Sequence, residues 1–287
     1  METKLTCNNK EVIISPDRPF TIIGERINPT RRKKLAETMA QGDFSVALED
    51  ARKQLEAGAH VLDVNAGIPG ADEPALLRGA VQALLEFAQV PLCIDTANPE
   101  ALKAALEIYP GKALINSTTA EESMMGRVFP LASQFGAAVI GVITDESGVP
   151  PTAEARLAVA RKLVKRAGDY GIPPEDIIID CLALTVGADH QAGRITLDAV
   201  AWVRDELGVN LSLGASNVSF GLPDRKIINV AYLALAIARG LTTAITDPTV
   251  PEIQTTLLAC DLLMGRDEYA MRWIKAFRKR EKAAAAQ

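Results

Sequence analysis

Short apolar runs rich in valine and isoleucine alternate along the chain with longer stretches whose apolar residues recur at helical spacing, and turn-forming residues mark most junctions. Runs of strand length that are apolar almost throughout suit strands covered on both faces. They predict strands at Phe20–Ile27, His60–Asn65, Pro91–Thr96, Lys112–Ser117, Ala137–Thr144, Asp176–Leu182, Val209–Asn217 and Thr242–Asp247. The longer stretches predict helices at Ser45–Ala57, Pro74–Ala88, Glu100–Tyr109, Ser123–Phe135, Thr152–Tyr170, Leu197–Leu207, Arg225–Arg239 and Glu252–Met264. Gly58, Gly136, Gly171, Gly208 and Gly240 follow five of these helices, where a left-handed residue closes the last turn.

Eight strand-then-helix units need a parallel sheet covered by helices, and closing it into a barrel removes both edges. An open doubly wound sheet is the rival. Its Gly-x-Gly-x-x-Gly turn is missing, because the first strand runs into Gly24-Glu25-Arg26-Ile27-Asn28-Pro29. The expected fold is therefore α/β, a (βα)8 TIM barrel over residues 20–265. Residues 1–19 form an N-terminal extension that caps the barrel bottom. Residues 266–287 hold a basic helix, Tyr269 to Lys282, and a frayed tail from Ala283 to Gln287.

Composition narrows the function classes. The 287 residues are 48% hydrophobic and 23% charged, which is ordinary for a globular chain, and a barrel of this size is commonly one domain. A net charge of -5 argues against nucleic acid, which needs a basic face. Cys7, Cys93, Cys181 and Cys260 are scattered, and only His60 and His190 add imidazoles, so neither a disulfide framework nor a zinc site is legible and a reducing cytoplasm fits. The start, Met1 to Lys10, is no signal peptide. Val230–Ala238 is too short to span a bilayer and reads as a buried barrel helix.

In such a barrel the C-terminal strand ends build the active site. Here they are polar: Glu25 and Asn28, Asp63 and Asn65, Asp95, Asn116, Thr144 and Asp145, Asp180, Ser216 and Asn217, and Asp247. Taken singly, Asp63, Asn65 or Asp247 reads equally well as a helix cap or loop brace. As a ring they need a partner, since several carboxylates around one mouth are costly to bury and only Arg26 stands among them as a cation. A ligand rich in N–H donors fits. A hard cation fits less well, because amides interleave with the carboxylates instead of leaving them clustered.

Gly24-Glu25-Arg26-Ile27-Asn28, Asp63-Val64-Asn65, Asp95-Thr96, Ile115-Asn116-Ser117-Thr118 and Ser216-Asn217-Val218-Ser219-Phe220-Gly221 occur in this order. With them, over about residues 20 to 265, the chain resembles the pterin-binding methyltransferases. Within these it is similar to the methyltetrahydrofolate:corrinoid-protein methyltransferases, the family that also supplies the folate module of cobalamin-dependent methionine synthase. Two positions depart from the usual pattern: Cys181 follows Asp180 where relatives often carry proline, and Asp95-Thr96-Ala97-Asn98 replaces Asp-Ser-Thr-Asn.

The resemblance implies that Asp180 holds the pyrimidine edge of the pterin while Asp95 and Asn116 grip the remaining ring nitrogens, with Ser216, Glu25, Asn28, Asp63 and Asn65 completing the substrate site. It implies that Asn217 is catalytic and lies beside the nitrogen that carries the methyl group. An amide oxygen there can stabilise the N–H formed as the leaving group is protonated, although it cannot supply the proton. The substrate is methyltetrahydrofolate or tetrahydrofolate, and the corrinoid (cobalamin) sits on a partner protein. Asp189-His190-Gln191-Ala192-Gly193 is not the Asp-x-His-x-x-Gly loop of cobalamin domains. No metal site, nucleic acid or membrane is implied, and a homodimer is expected.

Cys181, without a histidine near it in sequence, reads as a structural thiol. The run Arg31-Arg32-Lys33-Lys34 reads as a solvated loop, with a polyglutamate tail or an acidic partner as the other possibility. Two alternatives stand beside the methyltransferase reading. One is a dihydropteroate synthase-like enzyme, whose Thr-Pro-Asp-Ser-Phe loop is replaced here by Asn28-Pro29-Thr30 and whose late basic groups by Thr246-Asp247-Pro248. The other is a non-catalytic folate-binding partner of a corrinoid protein.

Overall fold

The computed structural model describes residues 1–285. A hairpin comes first, β1 (Thr3–Cys7) against β2 (Lys10–Ile14). Eight parallel strands follow: β3 (Thr21–Ile27), β4 (Val61–Val64), β5 (Leu92–Asp95), β6 (Leu114–Thr119), β7 (Ala138–Val142), β8 (Ile177–Asp180), β9 (Leu211–Ser212) and β10 (Thr243–Thr246). They lie side by side in the order β10-β3-β4-β5-β6-β7-β8-β9. The seam between β9 and β10 is closed by Thr242, whose N–H donates to Leu211 O at 3.2 Å, and by the Ile245 N–H to Leu213 O at 3.0 Å. This is the expected (βα)8 TIM barrel.

The helices are α1 (Lys33–Ala40), α2 (Ser45–Glu56), α3 (Glu73–Phe87), α4 (Pro99–Leu106), α5 (Glu122–Phe135), α6 (Ala153–Asp169), α7 (Ala192–Leu207), α8 (Arg225–Arg239), α9 (Pro251–Leu263) and α10 (Met271–Ala285). No helix among the described residues is long and apolar enough to cross a membrane.

Alternation along each strand sorts the residues between two cores. Ile23, Val61, Cys93, Leu114, Ala138, Ile140 and Ile178 face inward and pack together in the barrel. Their neighbours Ile22, Leu62, Ile94, Ile115, Val139 and Ile179 face outward beneath the helices. One more two-residue step toward the C-terminal ends brings Glu25, Asp63, Asp95, Asn116, Val142 and Asp180 to the inner face at the mouth. Strand parity therefore aims the predicted residues into one space.

The N-terminal extension is a β-hairpin that stoppers the barrel bottom. Leu5 and Ile14 are fully buried and join the inner cluster. Asn210 Nδ2 ties the hairpin down by donating to Thr3 Oγ1 and Ile14 O, each at 2.8 Å. Gly111 is required where the hairpin crosses the loop before β6, because a Cβ there would stand 2.4 Å from Thr6 O.

Several sequence expectations need correction. Part of the basic run belongs to a helix: Lys33 and Lys34 open α1, which buries Leu35 and Met39, while Arg32 pairs with Asp50 at 2.6 Å. The seventh barrel strand is short, because after Leu213 the backbone turns into a 3-10 helix at Ala215–Ser219. Asn217 therefore lies in a turn above the strand. The segment Val230–Ala238 is amphipathic, burying Tyr232, Leu233, Ala236 and Ile237 while Leu235 stays 56% exposed. The C-terminal helix continues to Ala285, and the last two residues of the expected tail lie outside the described residues.

Candidate active site

Adjacent strands β4, β5 and β6 carry Asp63, Asp95 and Asn116, and the side chains meet. Asn116 Nδ2 donates to Asp63 Oδ1 at 3.0 Å. Asn65 Nδ2 and Asn28 Nδ2 both donate to Asp95 Oδ2, at 3.1 and 3.4 Å. Each of these two asparagines also uses its carbonyl oxygen locally, Asn65 accepting from Gly67 N at 2.8 Å and Asn28 from Thr30 N at 2.9 Å. Each asparagine therefore braces its loop with the oxygen, and the amide fixed in this way holds the Asp95 carboxylate. Behind Asp95, Glu73 accepts from Thr96 Oγ1, and Asn98 Oδ1 caps α4 by accepting from Glu100 N at 3.0 Å.

On β8, Asp180 is 8% exposed, and its Oδ1 accepts from Leu182 N at 2.7 Å. Leu182 adopts φ 54, a left-handed conformation that costs a leucine energy and persists only where neighbours impose it. Arg156 imposes it. This α6 side chain is 1% exposed, and its Nη1 donates to Cys181 O and Leu182 O, each at 3.0 Å, and to Thr196 Oγ1 at 2.8 Å, while Nε reaches Pro150 O at 3.2 Å. A buried guanidinium bonded only to neutral oxygens binds the loops after β7 and β8 to α7. Sequence reasoning missed it, although Ala153, Arg156, Leu157 and Ala160 lie at the spacing of a buried helical stripe. It also missed Ser212, the register partner of Asp180, whose buried hydroxyl has no hydrogen-bond partner among the described residues.

A third group sits above β3, β9 and β10. Ser216 Oγ lies 3.4 Å from Glu25 Oε1. Arg225 braces the turn, with Nη2 donating to Ser216 O at 2.6 Å and Nε to Ser219 Oγ at 3.0 Å, and Ser219 in turn donates to buried Asn229 at 2.7 Å. Asn217 is exposed, and its side chain makes no hydrogen bond among the described residues, so it caps no helix. Gly214 leaves it room, since a Cβ there would stand 3.0 Å from Asn217 Nδ2. Asp247 instead serves its own loop, accepting from Thr249 N at 2.9 Å and facing Arg26 at 3.6 Å. Asp145 likewise folds onto Ser147.

Burial governs the charges. It raises Asp63 well above the ordinary carboxylate range, and the nearby Asp95 charge raises it further. Burial lifts Asp95 to about 6 against the opposing Asn65 hydrogen bond, and lifts Asp180 to about 6 against the Leu182 N–H. Glu25 reaches about 7 through burial and then the Asp247 charge. Burial also pushes the Cys181 thiol far up, which removes it as a nucleophile.

Raised carboxyls bind protons more tightly in the fold than in the unfolded chain, so their contribution falls as pH rises from about 4 through about 6, by about 3 kcal/mol for a group lifted from 3.8 to about 6. An N–H-donating ligand needs the ionised forms. Its affinity is expected to rise with pH and level off above about 6, and a calorimetric pH series on Asp180→Asn should show that limb less steep, with the part due to Asp95 remaining. A limb unchanged by the substitution would contradict this.

Carboxylates and amides thus gather at one mouth of a (βα)8 barrel. Residues 24–247 match the family model described as pterin binding enzyme. The chain belongs to the pterin-binding enzyme family. It is 29% identical over 264 residues to a methylcorrinoid:tetrahydrofolate methyltransferase of Eubacterium limosum, covering 90% of this chain and 96% of that one. It is 30% identical over 270 residues to the methionine synthase of Mycobacterium tuberculosis, covering 87% of this chain but only 23% of that protein. Among solved structures, the dihydropteroate synthase of Xanthomonas albilineans with 4-aminobenzoic acid superposes at a TM-score of 0.69 with 21% identity, covering 92% of this chain and 98% of that one. The Yersinia pestis enzyme with a pterine-sulfa conjugate superposes at 0.68 with 17% identity, over 91% and 99%. These two share the fold.

Proposed function

We propose that this chain moves a methyl group between methyltetrahydrofolate and the cobalt of a corrinoid carried by a partner protein. The observation that carries the proposal is the arrangement at the mouth, where Asn116 is bonded to Asp63 beside an Asp95 oriented by Asn28 and Asn65. A pterin edge presents amino and ring N–H donors next to ring acceptors, and interleaved carboxylates and amides match that mixture. In this reading Asp180 takes the amino-pyrimidine edge, and Asp95 and Asn116 take the other ring nitrogens. Similarity to the Eubacterium limosum methyltransferase over nearly its full length supports methyl transfer over pteroate synthesis, with which the solved neighbours share the fold alone.

The corrinoid, held by the partner, supplies the metal centre that gives or takes the methyl group. This chain's exposed His190, 4.0 Å from Asp189 in the loop before α7, belongs to no cobalt-ligand motif. The chain's own task concerns the pterin nitrogen. A methyl on a neutral amine is a poor electrophile, so that nitrogen must gain positive character. The Asn217 side chain, which makes no hydrogen bond among the described residues, is placed to accept from the developing N–H, and Arg225 holds the turn on which it sits. Glu25, raised to about 7 and bonded to the same turn through Ser216, is protonated in part near neutral pH beside that turn, and the proton reaches the nitrogen from solvent or through this carboxylate network. A cytoplasmic homodimer belongs to the same reading.

Mixing the protein with methyltetrahydrofolate and reduced cobalamin should convert the cobalt absorption to that of the methylated form. Incubation with a hydroxymethyl-dihydropterin pyrophosphate and 4-aminobenzoate should give no pteroate. Pteroate formation without cobalt methylation would replace this function with the synthase.

A further inference from the structure

Two arginines at the mouth stand outside its ion pairs among the described residues, although the Arg225 charge still acts on Glu25. Arg26 faces Asp247, Arg32 faces Asp50 and Lys226 faces Glu252, whereas Arg31 and Arg225 form no ion pair among the described residues. Both lie against the ring of Phe220, with guanidinium carbons 5.2 and 6.0 Å from its centroid, and Phe220 is itself 49% exposed. Arg31 lies three residues beyond Asn28, in the loop that Asn28 Oδ1 fixes through Thr30 N. Phe220 lies three residues beyond Asn217, and its N–H donates to Asn217 O at 3.1 Å. The cluster therefore bridges the loops after β3 and β9 at the lip of the candidate site. It places cations beside a mouth whose interior is otherwise carboxylate and amide.

We propose that Arg31, seated on Phe220 and backed by Arg225, is a subsite for the carboxylates of a ligand's acidic tail, outside the ring-binding site. The inference rests on the pterin reading, and in folate compounds it concerns the glutamate end. A ring lodged among Asp63, Asp95 and Asp180 must extend any anionic tail toward solvent, where those carboxylates repel it and an unpaired cation draws it outward. Guanidinium suits a carboxylate because its fork donates two parallel hydrogen bonds, and stacking on Phe220 limits the side-chain freedom lost on binding. In the basic run, Arg31 is seated against Phe220, whereas Arg32 is paired and Lys33 turns to Glu37 at 3.7 Å.

The test compares tetrahydrofolate, its triglutamate form and tail-free 6-methyltetrahydropterin on the unmutated protein, Arg31→Gln and Arg31→Lys. Arg31→Gln should weaken tetrahydrofolate about fivefold, as for a rim ion pair, and the triglutamate form at least as much. Tail-free pterin should bind both proteins equally, Arg31→Lys should recover part of the loss, and added salt should shrink the difference. Equal weakening of tailed and tail-free ligands, or no weakening of either, would overturn the subsite. If the unmutated protein takes up tail-free pterin but shows no gain from the tail, the subsite fails and the pterin reading stands. If it takes up none of the three, both fall.

Discussion

Arg156→Met is expected to lower the unfolding free energy by about 3–5 kcal/mol, the range for breaking a buried polar network by removing one partner. The guanidinium satisfies Pro150 O, Cys181 O and Leu182 O at once. Methionine would fill much of the volume but leave those carbonyls short of a donor in a dry interior. Leu182 would lose what holds its left-handed backbone, and with it the N–H that aims Asp180. Pterin affinity should therefore fall together with stability, and Arg156→Lys, which keeps a charge without the fork, should restore only part of each. Urea unfolding measures the first and titration the second. A loss below about 1 kcal/mol would show the carbonyls re-satisfied by water, and Arg156 dispensable.

The second large effect is expected at Asn217. Asn217→Ala should slow methyl transfer about a hundredfold, comparable with deleting one donor or acceptor aimed at a transition state, while changing pterin affinity only a few-fold. Its side chain makes no hydrogen bond among the described residues, so the fold should keep its melting temperature. Single-turnover kinetics beside equilibrium titration separates rate from binding. Equal losses in both would reduce Asn217 to an ordinary binding contact.

Much of this was legible in the sequence because strand alternation works on few variables. Once Ile23, Val61, Cys93, Leu114 and Ile178 face the barrel interior, the residues two further on must reach the mouth, and those are the polar positions that stand out by type. The turn that carries Asn217 was not legible as a turn. Leu211-Ser212-Leu213 reads as a strand, and the structure shows where the chain stops extending, at the Asn217 N–H to Gly214 O bond of 3.2 Å. Helix α1 left a weak signal in Leu35 and Met39, spaced four apart behind two lysines that resemble a loop. Arg156 could have been found from its place on an apolar helix face. Arg225 could not, since its contact with Ser216 O depends on Asp224 adopting φ 49 at the head of α8.

The remaining mouth residues divide by how their partners are reached. Asp63 and Asn116 stand two strands apart, and Asn65 directly follows β4 beside Asp95 on β5, so the barrel brings them together. Glu25 and Ser216 meet across the seam from opposite ends of the chain, and their pairing depends on the loop that Arg225 holds.

Calorimetric titration with methyltetrahydrofolate tests most directly whether Asp95, Asn116 and Asp180 share one pterin. The unmutated protein should bind with one site per chain, and Asp95→Asn, Asn116→Ala and Asp180→Asn should each weaken binding by about tenfold or more while the fold is kept, as for a lost charge-assisted or buried hydrogen bond. Absence of binding to the unmutated protein, or unchanged affinity in all three variants, would contradict it.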